Sequence, residues 1–302
     1  MKKIISVILI FTLCIGFAGC GVQSQKTDKL QIVCTLFPQY DFVRQIVGDA
    51  AENTLLLPVG TESHAYEPTP ADILHIADAD VFIYIGDAME TWASGVMSEI
   101  DTSRTAVLNL SEALGLTLSA HAEHEHGTDP HIWTSPVNAM QMVEVIRDML
   151  MELDADNAKT YADNAGIVLA QYKRLDASFR AAVENGARRE IVFGSRFALR
   201  NFTEAYGLSY VAAFDSCTEE SEPSAAVLAS IMDTVREKQI PVVLYGELES
   251  DATASAIAAE TGAAVRQFHS CHNLTQAEFD AGETYYSIMQ KNLTVLTEAL
   301  SA

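Results

Sequence analysis

Four of the eight histidines in this 302-residue chain fall within eleven positions, in the run HAEHEHGTDPHIWTSP from His121 to Pro136. Neutral imidazole offers a lone pair near neutral pH and is the side chain most often found on zinc, so the chemistry to consider first is metal ligation. His121, His124 and His126 alternate with Glu123 and Glu125 and show no apolar periodicity. They read as an exposed loop that gathers Zn²⁺ but must be ordered before it can hold the ion in one place. His131 is different. Asp129-Pro130 restricts the chain before it, Ile132-Trp133 anchors the chain after it, and a helix start at Ser135-Pro136 follows directly. Two further histidines are constrained in the same way. His64, in LPVGTESHAYEPTPAD, follows an expected strand and is fixed on its far side by Pro68 and Pro70, while His269, in AVRQFHSCHN, ends an expected strand in the second half. Cys271 and His272 lie beside His269, so borderline and soft ligands cluster there too.

The elements that must position these residues alternate between strand-like and helix-like patterns. LQIVCT (30–35), TLLLPVG (54–60), VFIYIG (81–86) and AVLNL (106–110) read as strands separated by helical stretches. The same grammar returns with EIVFGS (190–195), SYVAAF (209–214), PVVLYGE (241–247) and AVRQF (264–268). Strands alternating with helices predict parallel sheets covered on both faces. The expected fold is therefore α/β: two lobes, each a parallel sheet flanked by helices, joined by a long rigid backbone helix. Apolar residues at steps of three and four, Tyr161 through Phe179 and Ala182 up to Asn185-Gly186, supply that helix. In open α/β sheets the loops beyond the carboxyl ends of the strands form the ligand crevice, which is where His64 and His269 fall.

The first residues, MKKIISVILIFTLCIGFAGCG, carry two lysines and then an apolar run too short to span a bilayer comfortably. They read as a secretion signal. Phe17-Ala18-Gly19-Cys20 resembles the lipobox of bacterial lipoproteins, with Cys20 as the lipidated first residue of the mature chain. The expected organisation is a signal peptide at 1–19, a tether at 20–29, an N-terminal lobe at 30–135, a linking helical segment at 136–188 and a C-terminal lobe at 189–302. A formal net charge of −22 is repelled by nucleic acid and by anionic lipid headgroups, and suits a protein that meets cations. Enzymatic motifs are absent: there is no HExxH, nucleophile elbow, P-loop or GxGxxG after a strand.

LPVGTESHAYEPTPAD, ADADVFIYIGDAMETW and DPHIWTSPVNA, in that order and spacing, resemble the metal-binding lipoproteins that feed zinc and manganese ABC importers, a cluster A-I type of solute-binding protein. TEAYGL (203–208), SEPS (221–224), the ETG turn (260–262) and GETYYSIMQKNL (282–293) extend the likeness over nearly the whole mature chain. The resemblance implies one metal in the cleft between two rigid lobes, delivered to an ABC permease and its ATPase by a monomeric protein held to the membrane through an N-terminal lipid anchor. It places ligands at His64, His131 and His269, and puts Arg196 where the family has a further histidine or glutamate. Arginine stays protonated and offers no lone pair. The fourth donor is then a water or another residue, with Glu247 first and Glu222 and Asp215 behind it. Imidazoles with at most one carboxylate favour Zn²⁺, and Mn²⁺ is the alternative. A Cys217–Cys271 disulfide is expected if both cysteines reach the cleft, with free thiols or a Cys271 thiolate ligand as rivals. A surface adhesin is the other class of function, and a zinc-dependent hydrolase a remoter one.

Overall fold

The computed structural model describes residues 29–116, 129–214 and 223–301. The first lobe begins with β1 (Gln31–Cys34), α1 (Phe37–Val47) and β2 (Glu52–Leu55), continues with α2 (Pro70–Asp78), β3 (Val81–Tyr84) and α3 (Ala93–Glu99), and ends with β4 (Ala106–Asn109) and α4 (Leu110–Ala113). Every pairing is parallel and the strand order is β2-β1-β3-β4. All four residues of β3 are buried, as a central strand covered by helices on both faces requires. Local signals start and stop the helices. Pro38 stands in the first turn of α1, and α2 opens on a capping box in which Thr69 and Asp72 satisfy each other's backbone amides behind Pro70.

A linking pair of helices, α5 (Pro136–Leu153) and α6 (Ala158–Asn185), follows. At 28 residues, α6 is about 42 Å long at 1.5 Å per residue, and it buries Tyr161, Ala165, Val168, Tyr172, Leu175, Phe179 and Val183. α5 buries Ala139, Met142, Val143, Ile146 and Leu150, the face that lies against both α6 and α1. The second lobe repeats the first with β5 (Glu190–Arg196), α7 (Arg200–Tyr206), β6 (Ser209–Phe214), α8 (Ala225–Glu237), β7 (Val242–Tyr245), α9 (Ala252–Thr261) and β8 (Ala264–Gln267), in the parallel order β6-β5-β7-β8. Gly194 in β5 permits a close approach of α9, since a Cβ there would stand 2.5 Å from the Cα of Ala254.

The chain ends with α10 (Gln276–Asp280) and α11 (Tyr285–Ala299), and this segment returns to the first lobe. Asp41, fully buried on α1, accepts the backbone N–H of Tyr285 at 2.8 Å, Arg44 donates to the carbonyl of Glu283, and Tyr40 stacks on Phe279. The expected boundary of the C-terminal lobe at 189–302 therefore encloses a stretch that packs on both lobes. One apolar cluster runs from Ile32 and Phe42 through Trp133, Tyr172 and Phe179 to Phe193, Phe268 and Tyr285, so lobes and linking helices share a core. A shared close-packed core resists large relative tilts.

Glu90 illustrates what the first sheet pays for its order. It is 2% exposed, accepts hydrogen bonds from Thr35 and from the amides of Ile85 and Gly86, and burial pushes its carboxyl up to about 7 despite those donors. A folded pKa above the unfolded value means that the folded state holds the extra proton, so this group's contribution to stability weakens as pH rises from about 4.5 to 7. Glu90→Gln should flatten that part of the profile. Urea unfolding at pH 5 and pH 8 reads it, and an unchanged difference between the two pH values would rule the assignment out.

Candidate metal centre

Three imidazoles meet where the two lobes face each other. The ligand atoms of His64, His131 and His272 all lie within 4.8 Å of one another, and the Nε2 atoms of His64 and His131 are 3.2 Å apart. A tetrahedral zinc with bonds near 2.0–2.1 Å sets its ligand atoms about 3.3 Å apart, so the first pair stands almost at the required separation.

Each ring arrives on a different element, and specific bonds bring them together. His64 sits on the loop after β2, where both oxygens of Glu62 cap the turn by accepting the amides of His64 and Ala65 at 3.1 and 3.0 Å. His131 opens the 3-10 turn Ile132–Thr134, and Asp129 accepts both its backbone N–H and its ring Nδ1 proton. His272 follows β8. Asn273 beside it donates to the carbonyls of Pro58 and Thr61 at 2.8 and 2.9 Å, and Gly60 donates to Leu274, which pins the His272 loop to the His64 loop. The indole of Trp133 donates to the carbonyl of Ser270 at 2.8 Å and ties the His131 turn to the same place.

The electrostatics keep lone pairs available. Burial, reinforced by His272 and His131 nearby, pushes His64 down to about 2, and burial with His131 also lowers His272. Both rings are therefore neutral at pH 7. Behind His131 and His272 stand carboxylates on the side of the other ring nitrogen. Burial alone would raise Asp129, but His131 and its hydrogen bonds hold it at about 2. Glu247 is likewise held far below the usual carboxylate range, the charge of His269 and the hydrogen bonds of the His272 and Ser270 side chains outweighing its burial. Ser270 Oγ lies between Glu247 Oε1 and His272 Nδ1, which leaves the buried Nε2 of His272, unpartnered among the described residues, as the free donor. Carboxylates in this position fix the tautomer and raise the basicity of a ligating histidine. Glu247→Gln should weaken zinc binding roughly 10- to 100-fold, the usual loss for such a partner, in competition with a chromophoric chelator.

Of the expected ligands, His64 and His131 are brought together and His269 and Glu247 are not. Asn292 clamps the backbone of His269 on both sides, its ring Nδ1 accepts the amide of Cys271 at 2.8 Å, and its Nε2 faces Glu278 at 3.9 Å, inside the second lobe. Glu247 lies 3.6 Å from Nδ1 of His272, the side away from Nε2. His272, and not its neighbour His269, completes the converging set. The cause is Cys271, whose φ of +64° turns the chain so that His272 and not His269 faces the other lobe, and nothing in the sequence signals a left-handed cysteine. Among the described residues Cys271 is a free, fully buried thiol, and burial raises its pKa well above the ordinary value; it is not among the converging donors, and its expected bridge partner Cys217 lies outside the described residues. Cys217, Asp215, Glu222, Cys20, His121, His124 and His126 lie outside the described residues. Arg196 ends β5 and pairs through Nε with Glu249 at 3.0 Å.

Two parallel sheets with their carboxyl ends facing one cleft, and a donor set contributed by both lobes, define a two-lobed solute-binding protein with a site for a metal cation. The model described as "Zinc-uptake complex component A periplasmic" matches residues 32–299, and the chain belongs to that family. It is 32% identical over 299 residues to the high-affinity zinc uptake system protein ZnuA of Bacillus subtilis (strain 168), covering 94% of this chain and 93% of that protein. It is 33% identical over 310 residues to the zinc-binding lipoprotein AdcA of Streptococcus pneumoniae, where it spans 61% of the relative's length. The crystal structure of the Zn(II)-bound ZnuA-like domain of AdcA matches with a TM-score of 0.78 and 32% identity, covering 91% of this chain and all of that one. The family's members are periplasmic components of a zinc-uptake complex, so they work outside the cytoplasm as one part of a transport system. No helix among the described residues is long and apolar enough to cross a membrane.

Proposed function

We propose that this chain captures zinc outside the cytoplasm through the Nε2 atoms of His64, His131 and His272 and delivers it to an ABC permease driven by its ATPase. The single observation that carries the reading is the convergence of three imidazole donors from two lobes within 4.8 Å, with His131 and His272 each backed by a carboxylate. Capture is binding without chemistry: the rings replace water around the ion and the shared core limits the opening needed to release it. Three imidazoles favour zinc over manganese, which prefers oxygen ligands. In this reading Cys20 carries the lipid anchor, the protein acts as a monomer, and His121, His124 and His126 collect ions that the fixed site then takes.

Protein lacking residues 1–20 should bind one zinc tightly and gain thermal stability as zinc is added, since only the folded chain assembles the site. A melting temperature that ignores zinc, or that rises more with manganese than with zinc, would count against the reading.

A further inference from the structure

The turn that carries His131 is held on both sides by groups distant in sequence or in fold. Asn201, on α7 of the second lobe, donates its side-chain amide to the carbonyl of Asp129 at 3.0 Å, across 72 positions of sequence. Asn138, on α5, donates to the carbonyl of Ile132 at 3.1 Å and faces Asn201 Oδ1 at 3.5 Å, the limit of a hydrogen bond. The donors run one way, from Asn138 through Asn201 to Asp129. An amide reversed at Asn201 would set oxygen against the Asp129 carbonyl and a donor against the Asn138 donor, so the network fixes the orientation.

Between the two clamped carbonyls lie His131 and the carboxylate behind it. Asp129 accepts the backbone N–H and the ring Nδ1 proton of His131, and Thr134 Oγ1 donates to the His131 carbonyl at 2.8 Å. The ring is thus fixed to its turn, and the turn is fixed to α5 and α7. Burial raises the Asp129 carboxyl and His131 lowers it, and the charge of Arg200, beside Asn201 on α7, lowers it further, which is a second sign that this helix lies close to the dyad. A ligating side chain must be held to within about 0.5 Å of its working position. His131 Nε2 stands 3.2 Å from His64 Nε2, near the separation a tetrahedral zinc requires, and a turn free to shift would lose it.

Resting on the zinc reading above, we infer that Asn201 and Asn138 are positioning residues for zinc capture: they clamp the backbone on either side of His131 so that its Nε2 is preset for the ion, and Asn201 makes this ligand answer to the second lobe. A shift of α7 away from the His131 turn therefore loosens the site while all three imidazoles are still present.

Zinc titrations against chelators of graded strength test the clamp on protein lacking residues 1–20, with thermal unfolding to establish that each variant is folded. Asn201→Ala should weaken zinc binding roughly tenfold, the lower end of the loss for a group behind a ligand. In a His131→Ala background the same change should cost less than about twofold, because the ligand it positions is gone. Equal losses in the two backgrounds would show a general weakening of the cleft and overturn the inference. Metal-free protein gives a reading that needs no residual zinc binding. The Nδ1 proton of His131, held by Asp129, should exchange with water faster in Asn201→Ala than in the wild type by imidazole NMR, and an unchanged rate overturns the inference as well. Asn201→Ala protein that binds zinc as tightly as the wild type removes the clamp and leaves the zinc site standing. Wild-type protein that binds no zinc overturns the zinc reading and, with it, the inference.

Discussion

His272→Ala is expected to reduce zinc affinity by more than about a hundredfold, because loss of a partner behind a ligand already costs 10- to 100-fold and this change removes the donor itself. His269→Ala is expected to leave the affinity unchanged within the error of the titration. The two residues are three positions apart on one loop, so they separate position in the sequence from position in the cleft. His269 has its backbone clamped by Asn292 at 2.9 and 2.7 Å and its Nδ1 engaged by Cys271 N–H, so its replacement should lower the melting temperature instead. Competition titrations of the two variants, with circular dichroism to establish folding, check both halves. Normal binding by His272→Ala would remove the ring from the site.

Trp133→Ala carries the second large effect. The indole has no exposed surface, donates to the carbonyl of Ser270, and packs edge-on to His131 and His272 with centroids 5.5 and 5.1 Å away, while the backbone carbonyl of Trp133 accepts from Tyr285 Oη at 2.7 Å. Truncating a buried tryptophan costs about 3–5 kcal/mol. For a chain of this size that lowers the melting temperature by roughly 10 °C. Because the indole also joins the His131 turn to the His272 loop, zinc affinity should fall with stability, and excess zinc should restore part of the loss by mass action. Thermal unfolding with and without zinc reads both effects. A variant as stable as the wild type would show that the two loops are joined by something else.

The sequence carried most of the scaffold, for identifiable reasons. Apolar runs such as VFIY in β3 and VVLY in β7, alternating with helical stretches and punctuated by Pro70, Gly48 and Gly262, announce a parallel α/β fold, and the stripe from Tyr161 to Phe179 announces the linking helix. Two of the three converging histidines were legible from their setting, because proline and tryptophan restrain the chain around His64 and His131. The third was not, because its direction depends on a positive φ at a cysteine and on an asparagine, Asn273, that reaches across to Pro58 and Thr61. Long-range bonds of that kind leave no local pattern. The pair Arg196–Glu249 was hidden for the same reason: the two residues are 53 positions apart and meet only because β5 and β7 are neighbours. Likewise Ser270 has no sequence feature that marks it as the link between Glu247 and His272.

The most direct measurement is the crystal structure of zinc-loaded protein lacking residues 1–20, with anomalous scattering recorded on both sides of the zinc edge. A single strong peak about 2.0–2.1 Å from the Nε2 atoms of His64, His131 and His272 is the expected result. A peak bonded to His269 or to Glu247, or no peak in the cleft, would contradict the account.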